Sequence, residues 1–212
     1  MLLAFDTATP AVTVALHDGE RVVAESTTVD AMRHGELLAP GIAAVLDEAG
    51  IVRQDLTAVA VGVGPGPFTG LRVGLVTART LAAVLEIPVY GVCTLDVLAA
   101  EAVASGAVTG GFLVATDARR KEVYWASYDG QGTRLEGPQV SKPADVATSG
   151  PVVGRGALLY ADAFPAFVAP ENPRAAVLAE AVADERVELC DPEPLYLRRP
   201  DAVEPGKPKR VT

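Results

Sequence analysis

Asp6-Thr7-Ala8-Thr9, closing a short apolar run near the amino terminus, is the cluster in this chain with the clearest catalytic look. An aspartate at the end of a strand can hold a metal-bound water, while neighbouring hydroxyls and amides contact a terminal phosphate. That chemistry makes Asp6, Thr7 and Thr9 the candidate nucleotide-contacting residues. The same residues, followed by Pro10, also suit a plain turn held by side-chain to backbone hydrogen bonds, and both readings stand on sequence alone. Downstream, Asp117-Ala118-Arg119-Arg120 repeats the aspartate without the hydroxyls, so a second matching clamp is missing. Arg119-Arg120-Lys121 could grip an acidic partner or face water as a solvated turn.

Other chemistries find less support. His17 and His34 are the only histidines. A helical metal site needs a second ligand three or four residues on, and after His34 those places hold Leu37 and Leu38. His34 reads as a helix-start or interface residue, and His17 as an exposed strand end. No serine has the setting of a nucleophile elbow. Gly64-Pro65-Gly66-Pro67-Phe68-Thr69-Gly70 joins an apolar strand to a helical pattern, as phosphate loops do. Neither nucleotide fingerprint fits, however, and Pro65 and Pro67 remove two of the backbone donors that a phosphate cradle uses. The sequence therefore assigns no catalytic residue, no metal site and no cofactor beyond the weak candidates Asp6, Thr7 and Thr9.

Half of the 212 residues are hydrophobic and only 5% are aromatic, which predicts an aliphatic core. A net charge of −9 argues against broad electrostatic capture of nucleic acid or anionic membrane. Cys93 and Cys190 show no disulfide or zinc spacing, which suggests reduced structural thiols and a cytoplasmic protein. The amino terminus lacks the pattern of a signal peptide. Arg72, Arg79 and Glu86 interrupt the best candidate for a membrane span, so none is expected.

The elements that must position these residues follow from hydrophobic periodicity. Leu2 to Phe5, Ala11 to Leu16 and Val22 to Thr27 read as strands, with Asp18-Gly19 as a hairpin turn. Leu37 to Ala49 is an amphipathic helix stopped by Gly50. Leu56 to Val63 reads as a buried strand, followed by a helix from Thr69 to Leu85 with Thr69 as cap. Val89 to Val92 is a strand, and Leu95 to Ala104 a helix capped by Thr94. Later, Val152-Val153 is a short strand, Asn172-Pro173 opens a helix through Ala183, and Pro192 to Arg199 is extended. Aligned without a gap, residues 2–19 and 113–130 match at seven of eighteen positions, including Asp6 with Asp117 and Asp18-Gly19 with Asp129-Gly130. Duplication predicts two similar α/β lobes, 1–108 and 109–200, before a disordered tail at 201–212.

On the second predicted helix, Gly70, Gly74, Ala78 and Ala82 form a row of small residues that lets another backbone approach closely. Leu71, Leu75 and Arg79 stand beside it. The row could meet the chain's own sheet or a partner. The partner reading selects His34, Leu37, Leu38, Gly70, Leu71, Arg72, Gly74, Leu75, Ala78 and Arg79 as the interface.

The chain resembles the bacterial TsaB family. The matching residues are Phe5-Asp6-Thr7-Ala8-Thr9, Arg33-His34 with Leu37-Leu38-Ala39-Pro40, and Gly64 through Arg72. Asp117-Ala118-Arg119 with Glu122-Val123-Tyr124, and Pro194-Leu195-Tyr196-Leu197-Arg198, complete the set. Pro67, where the family usually has serine, is a departure that should only stiffen the corner. The resemblance implies an actin/Hsp70-like (ASKHA) α/β fold of two ribonuclease-H-like lobes, the second reduced. It also implies a non-catalytic, dimerising subunit of the tRNA threonylcarbamoyladenosine machinery. Its catalytic paralogue, TsaD, carries a pair of metal-binding histidines four residues apart, where this chain has His34 and Leu38. A TsaE-like ATPase joins the complex, so ATP and metal would be held by partners, and tRNA would be met only through the complex. Whether a homodimer forms without the partner stays open. Two rival readings remain: a small ATPase or sugar kinase of the same fold using Asp6, Thr7 and Thr9, and an independent homodimeric binding module without a tRNA role.

Overall fold

The computed structural model describes residues 1–198, so the expected tail at 201–212 lies outside the described residues. Alternation of side chains builds the first sheet from β1 (Leu2–Asp6), β2 (Ala11–His17) and β3 (Val22–Val29), joined to β4 (Ala58–Gly62) and β5 (Val89–Val92). Leu3 and Phe5 of β1, with Val12, Val14 and Leu16 of β2, point to one face and form an aliphatic core. Helices α1 (His34–Ala49) and α2 (Phe68–Leu85) close that face with Leu38, Ile42, Val45, Leu75 and Ala78. The alternate positions are small. Ala4, Ala15 and Ala60 face the other side, where α5 (Ala175–Ala183) lays its own alanines close against the sheet.

The second sheet is built from β6 (Phe112–Asp117), β7 (Val123–Tyr128), β8 (Arg134–Ser141), β9 (Val152–Val153) and β10 (Phe167–Val168). Its order is β10-β9-β6-β7-β8, and the first sheet runs β11-β5-β4-β1-β2-β3, with β11 (Leu189–Cys190) added at the edge. Apart from β11, both sheets place their five strands in the same fifth-fourth-first-second-third order. In both, the first three strands are antiparallel and the fourth and fifth run parallel to the first. The duplicated topology therefore holds, but the gap-free alignment fails after the first strand. Asp6 pairs with Thr13, whereas Asp117 pairs with Val123, so six residues lie between the paired ends of the first hairpin and only five between those of the second. One residue of slip exchanges the two faces of a strand, so the apparent matches of Val12 with Val123 and Ala15 with Ala126 are not structural equivalents.

Each half lends its last helix to the other. Helix α3 (Thr94–Ala104), which follows β5, packs on β6, β7 and β9, while α5 from the second half covers β1 and β2. The lobes thus do not divide at 108/109 as expected, since α5 and β11 return to the first sheet. The second lobe is also thinner. Where α1 and α2 stand in the first lobe, it has only a 3-10 turn (Pro143–Val146) and the five-residue α4 (Arg155–Leu159).

Several boundaries differ from expectation for physical reasons. Helix α1 starts at His34 rather than Leu37, and Gly50 ends it in the left-handed conformation. Thr69 does not cap α2; Pro67 occupies that place with its preset backbone, and Thr69 is exposed. Thr94 does not cap α3, because Cys93 stands at that position. Helix α5 begins at Ala175, two residues beyond Pro173. His17 is buried rather than exposed, since every residue of β2 lies between α1 and α5. Of the thiols, Cys93 is buried and its pKa pushed up to about 12, chiefly by burial, whereas Cys190 is exposed.

The largest correction concerns α2. Its 18 residues, with a mean hydropathy of 1.3, are long and apolar enough to cross a membrane by length and composition, contrary to expectation. Here the helix lies on the sheet. The row Gly70, Gly74 and Ala78, with Leu71 and Leu75, is buried inside the chain and is unavailable to any partner. A Cβ at Gly70 would stand 2.4 Å from the Thr7 carbonyl oxygen, and one at Gly74 2.5 Å from Thr7 Oγ1. Gly74→Ala should therefore cost on the order of 1–3 kcal/mol in urea unfolding through forced backbone movement. Val76→Ala, on the outer face, should stay within about 0.5 kcal/mol. Equal, small effects of both would place the row outward after all.

Candidate functional site

The end of β1 and the glycine corner before α2 form one tight knot. Asp6 has no solvent exposure. Its Oδ1 accepts the Ala8 N–H at 2.7 Å, and its Oδ2 accepts the Thr94 hydroxyl at 2.7 Å. Thr94 Oγ1 in turn accepts the Gly64 N–H at 3.2 Å, and the Thr94 N–H returns to the Gly64 carbonyl at 2.8 Å. The Asp6 carboxylate fills the space where a side chain at Gly62 would sit, with a Cβ there falling 1.9 Å from Oδ2. Burial pushes the Asp6 pKa up, against the opposing pull of the Ala8 and Thr94 hydrogen bonds and of His34.

The hydroxyls are used inward as well. Thr7 donates to the Gly70 carbonyl at 2.8 Å, and Thr9 Oγ1 accepts the Ala11 N–H at 3.2 Å. His34 Nε2 lies 2.7 Å from the Thr9 carbonyl. A carbonyl only accepts, so that ring nitrogen carries the proton. His34 thus closes the loop from α1 and is itself buried. Across from it, Asp117 Oδ1 accepts the Arg119 N–H at 2.8 Å, and Arg119, Arg120 and Lys121 all take left-handed backbone angles with φ between 55° and 60°.

The two aspartate loops face each other over a crevice of about 20 Å³. Ala8, Thr9, Pro10 and Pro67 line one wall, and Thr116, Asp117, Arg119 and Arg155 the other. Such a space admits roughly one water. A nucleotide phosphate with its magnesium would need free carboxylate and hydroxyl oxygens and a wider mouth. The candidates Asp6, Thr7 and Thr9 are brought together as expected, but in this conformation their polar atoms are already engaged, and they do not fit that group.

The predicted interface residues separate into two sets. His34, Leu38, Gly70, Leu71, Gly74, Leu75 and Ala78 are buried in the first lobe, Leu37 is half-buried, and Arg72 and Arg79 are exposed. Arg72 lies 3.5 Å above the Phe68 ring and donates from Nε to the Tyr196 hydroxyl at 3.1 Å, while Phe68 stacks on Tyr196 at 5.1 Å. The Gly-Pro-Phe segment and the Pro194–Arg198 segment therefore meet in space. Arg198 continues across to the second lobe, donating to the Ala118 carbonyl at 2.8 Å and pairing with Glu122.

Sequence reasoning missed Thr94, taken for a cap, and Asp96 in the same helical turn. Asp96 Oδ1 accepts the Tyr128 hydroxyl at 2.7 Å, and its carboxylate takes Arg134 Nη1 at 3.1 and 3.2 Å. The signal for Gly62 was partial: a glycine ending the alternating alanine-valine strand β4 marks a close approach, but not that Asp6 makes it.

Two lobes of one strand order, with exchanged helices and facing aspartate loops, define an α/β protein of the actin/Hsp70-like class, built from ribonuclease-H-like units. The family described as "TsaD: tRNA N6-adenosine threonylcarbamoyltransferase" matches residues 21–167. An uncharacterized protein of Mycobacterium tuberculosis is 47% identical over 207 residues, covering 95% of this chain and 93% of its own. The Escherichia coli tRNA threonylcarbamoyladenosine biosynthesis protein TsaB is 40% identical over 127 residues, 60% of this chain and 54% of that protein. The structure of YeaZ from Pseudomonas aeruginosa superposes with a TM-score of 0.77 at 33% identity, covering 92% of this chain and 99% of that one. The chain belongs to this family, in its TsaB (YeaZ) branch.

The knot makes a signed prediction. An acid whose folded pKa is raised binds its proton more readily in the folded state. Its contribution is therefore most favourable below the usual value near 3.8 and declines as pH rises through the window up to the raised folded value. Asp6→Asn lacks that ionisation, so the stability of wild type relative to Asp6→Asn should fall as pH climbs above about 4, read by urea unfolding at stepped pH. Asp6→Ala leaves the Ala8 N–H and Thr94 O–H unpaired and should cost on the order of 2–5 kcal/mol at acidic pH, the cost shrinking as pH rises because this variant also lacks the ionisation. A wild type that gains on Asp6→Asn with rising pH would show the carboxylate to be stabilised as the anion instead.

Proposed function

We propose that the chain is a non-catalytic subunit in the biosynthesis of tRNA threonylcarbamoyladenosine, pairing with a TsaD-like catalytic paralogue. The observation that carries this reading is the internal use of the Asp6 carboxylate and the narrow crevice beside it. An enzyme of this fold would keep those atoms free for phosphate and metal, and here they hold the chain's own backbone. The same observation disfavours the small-kinase reading. The names of the Escherichia coli and Bacillus subtilis relatives supply the pathway.

With the small row buried, the pairing surface becomes the outer face of α2 and the exposed side of α1. Val76 and Val84 are 62% and 72% exposed, Phe68 stands at the start of the same helix, and Ala39, Pro40 and Ala43 lie outward on α1. Arg72 and Arg79 flank this face. Apolar helix faces of this kind are what a stable partner buries. In this reading ATP and metal belong to the TsaD-like and TsaE-like partners, tRNA is met through the complex, and the compartment is the cytoplasm.

Val76→Glu with Val84→Glu should melt like wild type, because neither side chain enters the core. The double variant should fail to co-purify with the TsaD-like protein of the same cell and fail to restore the modified nucleoside in a depleted strain. Asp6→Asn, if folded, should retain both. Normal nucleoside formation with the helix variant, or its selective loss with folded Asp6→Asn, would refute the reading.

A further inference from the structure

The reduced second lobe leaves a groove where the first lobe carries its helix layer. Between the 3-10 turn that replaces α1 and the short α4 that replaces α2 lies a cavity of about 720 Å³. Leu158 and Leu159, 47% and 46% exposed, stand at the end of α4 with Tyr160, and Pro143 and Ala144 form the facing wall. Lys121 and Lys142 are exposed at its edge, and Arg120 also lines it. Among the described residues, Asp162 is the one carboxylate in the lining. On a chain of net charge −9 this is a local excess of positive charge set around an apolar floor.

We propose that this groove docks an amphipathic helical segment of a protein partner, leucine-rich on one face and acidic on the other. Such a helix would supply the layer that the second lobe lacks, laying apolar anchors on Leu158, Leu159 and Ala144. Lys121 and Lys142 would meet its acidic flank and favour its encounter. A single-stranded nucleic acid suits the groove less well. Base stacking uses aromatic planes, and this floor offers two leucines and a proline beside one tyrosine. The surface belongs to the second lobe and is separate from the α1–α2 face, so it stands or falls independently of the pairing proposed above.

The test is an NMR titration of the full-length, isotopically labelled chain with a synthetic Leu/Glu amphipathic peptide of roughly four helical turns. The expected result is saturable shifts at residues 120–121, 142–144 and 158–163. Lys121→Glu with Lys142→Glu should weaken binding by about tenfold or more. Leu158→Ser with Leu159→Ser should abolish it, with unchanged melting for both variants. Absence of saturable shifts, shifts centred elsewhere, or equal binding of a Leu/Lys peptide would overturn the proposal. So would tighter binding of an oligouridine to the same residues, which would make the groove a nucleic-acid surface.

Discussion

A carboxylate taken fully out of water at the end of β1 sets the terms for everything near it. Asp6 can be buried only because both oxygens are hydrogen-bonded, one to the Ala8 N–H and one to the Thr94 hydroxyl. That demand reaches far along the chain. It keeps a side chain off Gly62, fixes the first turn of α3 against the Gly64 corner, and shapes the loop against which Gly66, Gly70 and Gly74 lie. One carboxylate therefore couples the strand, the glycine corner, α2 and α3.

The same end of α3 also serves the other lobe. Thr94 holds Asp6 of the first sheet, while Asp96, two residues on, accepts Tyr128 and Arg134 of the second. Asp96 has its pKa raised by burial, and the Tyr128 hydrogen bond and Arg134 oppose that shift. Arg198 makes a second tie from the C-terminal side through Ala118 and Glu122. With α3 and α5 exchanged between the sheets, the lobes share their cores instead of merely touching. A hinge that opens the crevice would have to break these bonds and expose alanine-lined helix faces together, which helps to explain a crevice of about 20 Å³.

Much of the architecture was legible in the residues. Val89–Val92 falls on the predicted residues, and Gly50 stops α1 where expected. Period-two patterning located the first hairpin because β1 and β2, though buried on both faces, alternate large side chains toward α1 and α2 with small ones toward α5. The orientation of α2 was not legible. A row of small residues licenses close approach by any backbone, and only the fold decides which backbone arrives. Here it was Thr7, five residues from the start of β1. The true outer face, with Val76 and Val84, looks like core in the sequence because valine does not reveal which side of a helix it leaves uncovered. The role of Thr94 was hidden for a similar reason: a threonine at a helix start reads as a cap unless a distant aspartate is known to stand beside it. The ungapped repeat found the right duplication through partly wrong equivalences, since one residue fewer between the paired strand ends changes register without erasing common residue types.

A non-catalytic role requires the Asp6 knot to be closed to ligand in solution. It is tested most directly by following the amide resonances of Ala8, Thr9, Gly64 and Gly70 in the isolated chain during titration with magnesium and ATP to millimolar concentration. A knot that uses its own carboxylate and hydroxyls predicts no saturable change at these amides, with the Ala8 N–H staying protected from solvent exchange. Saturable shifts centred on Ala8 and Thr9, lost in Asp6→Asn, would show that the loop opens to hold a nucleotide and would contradict the account.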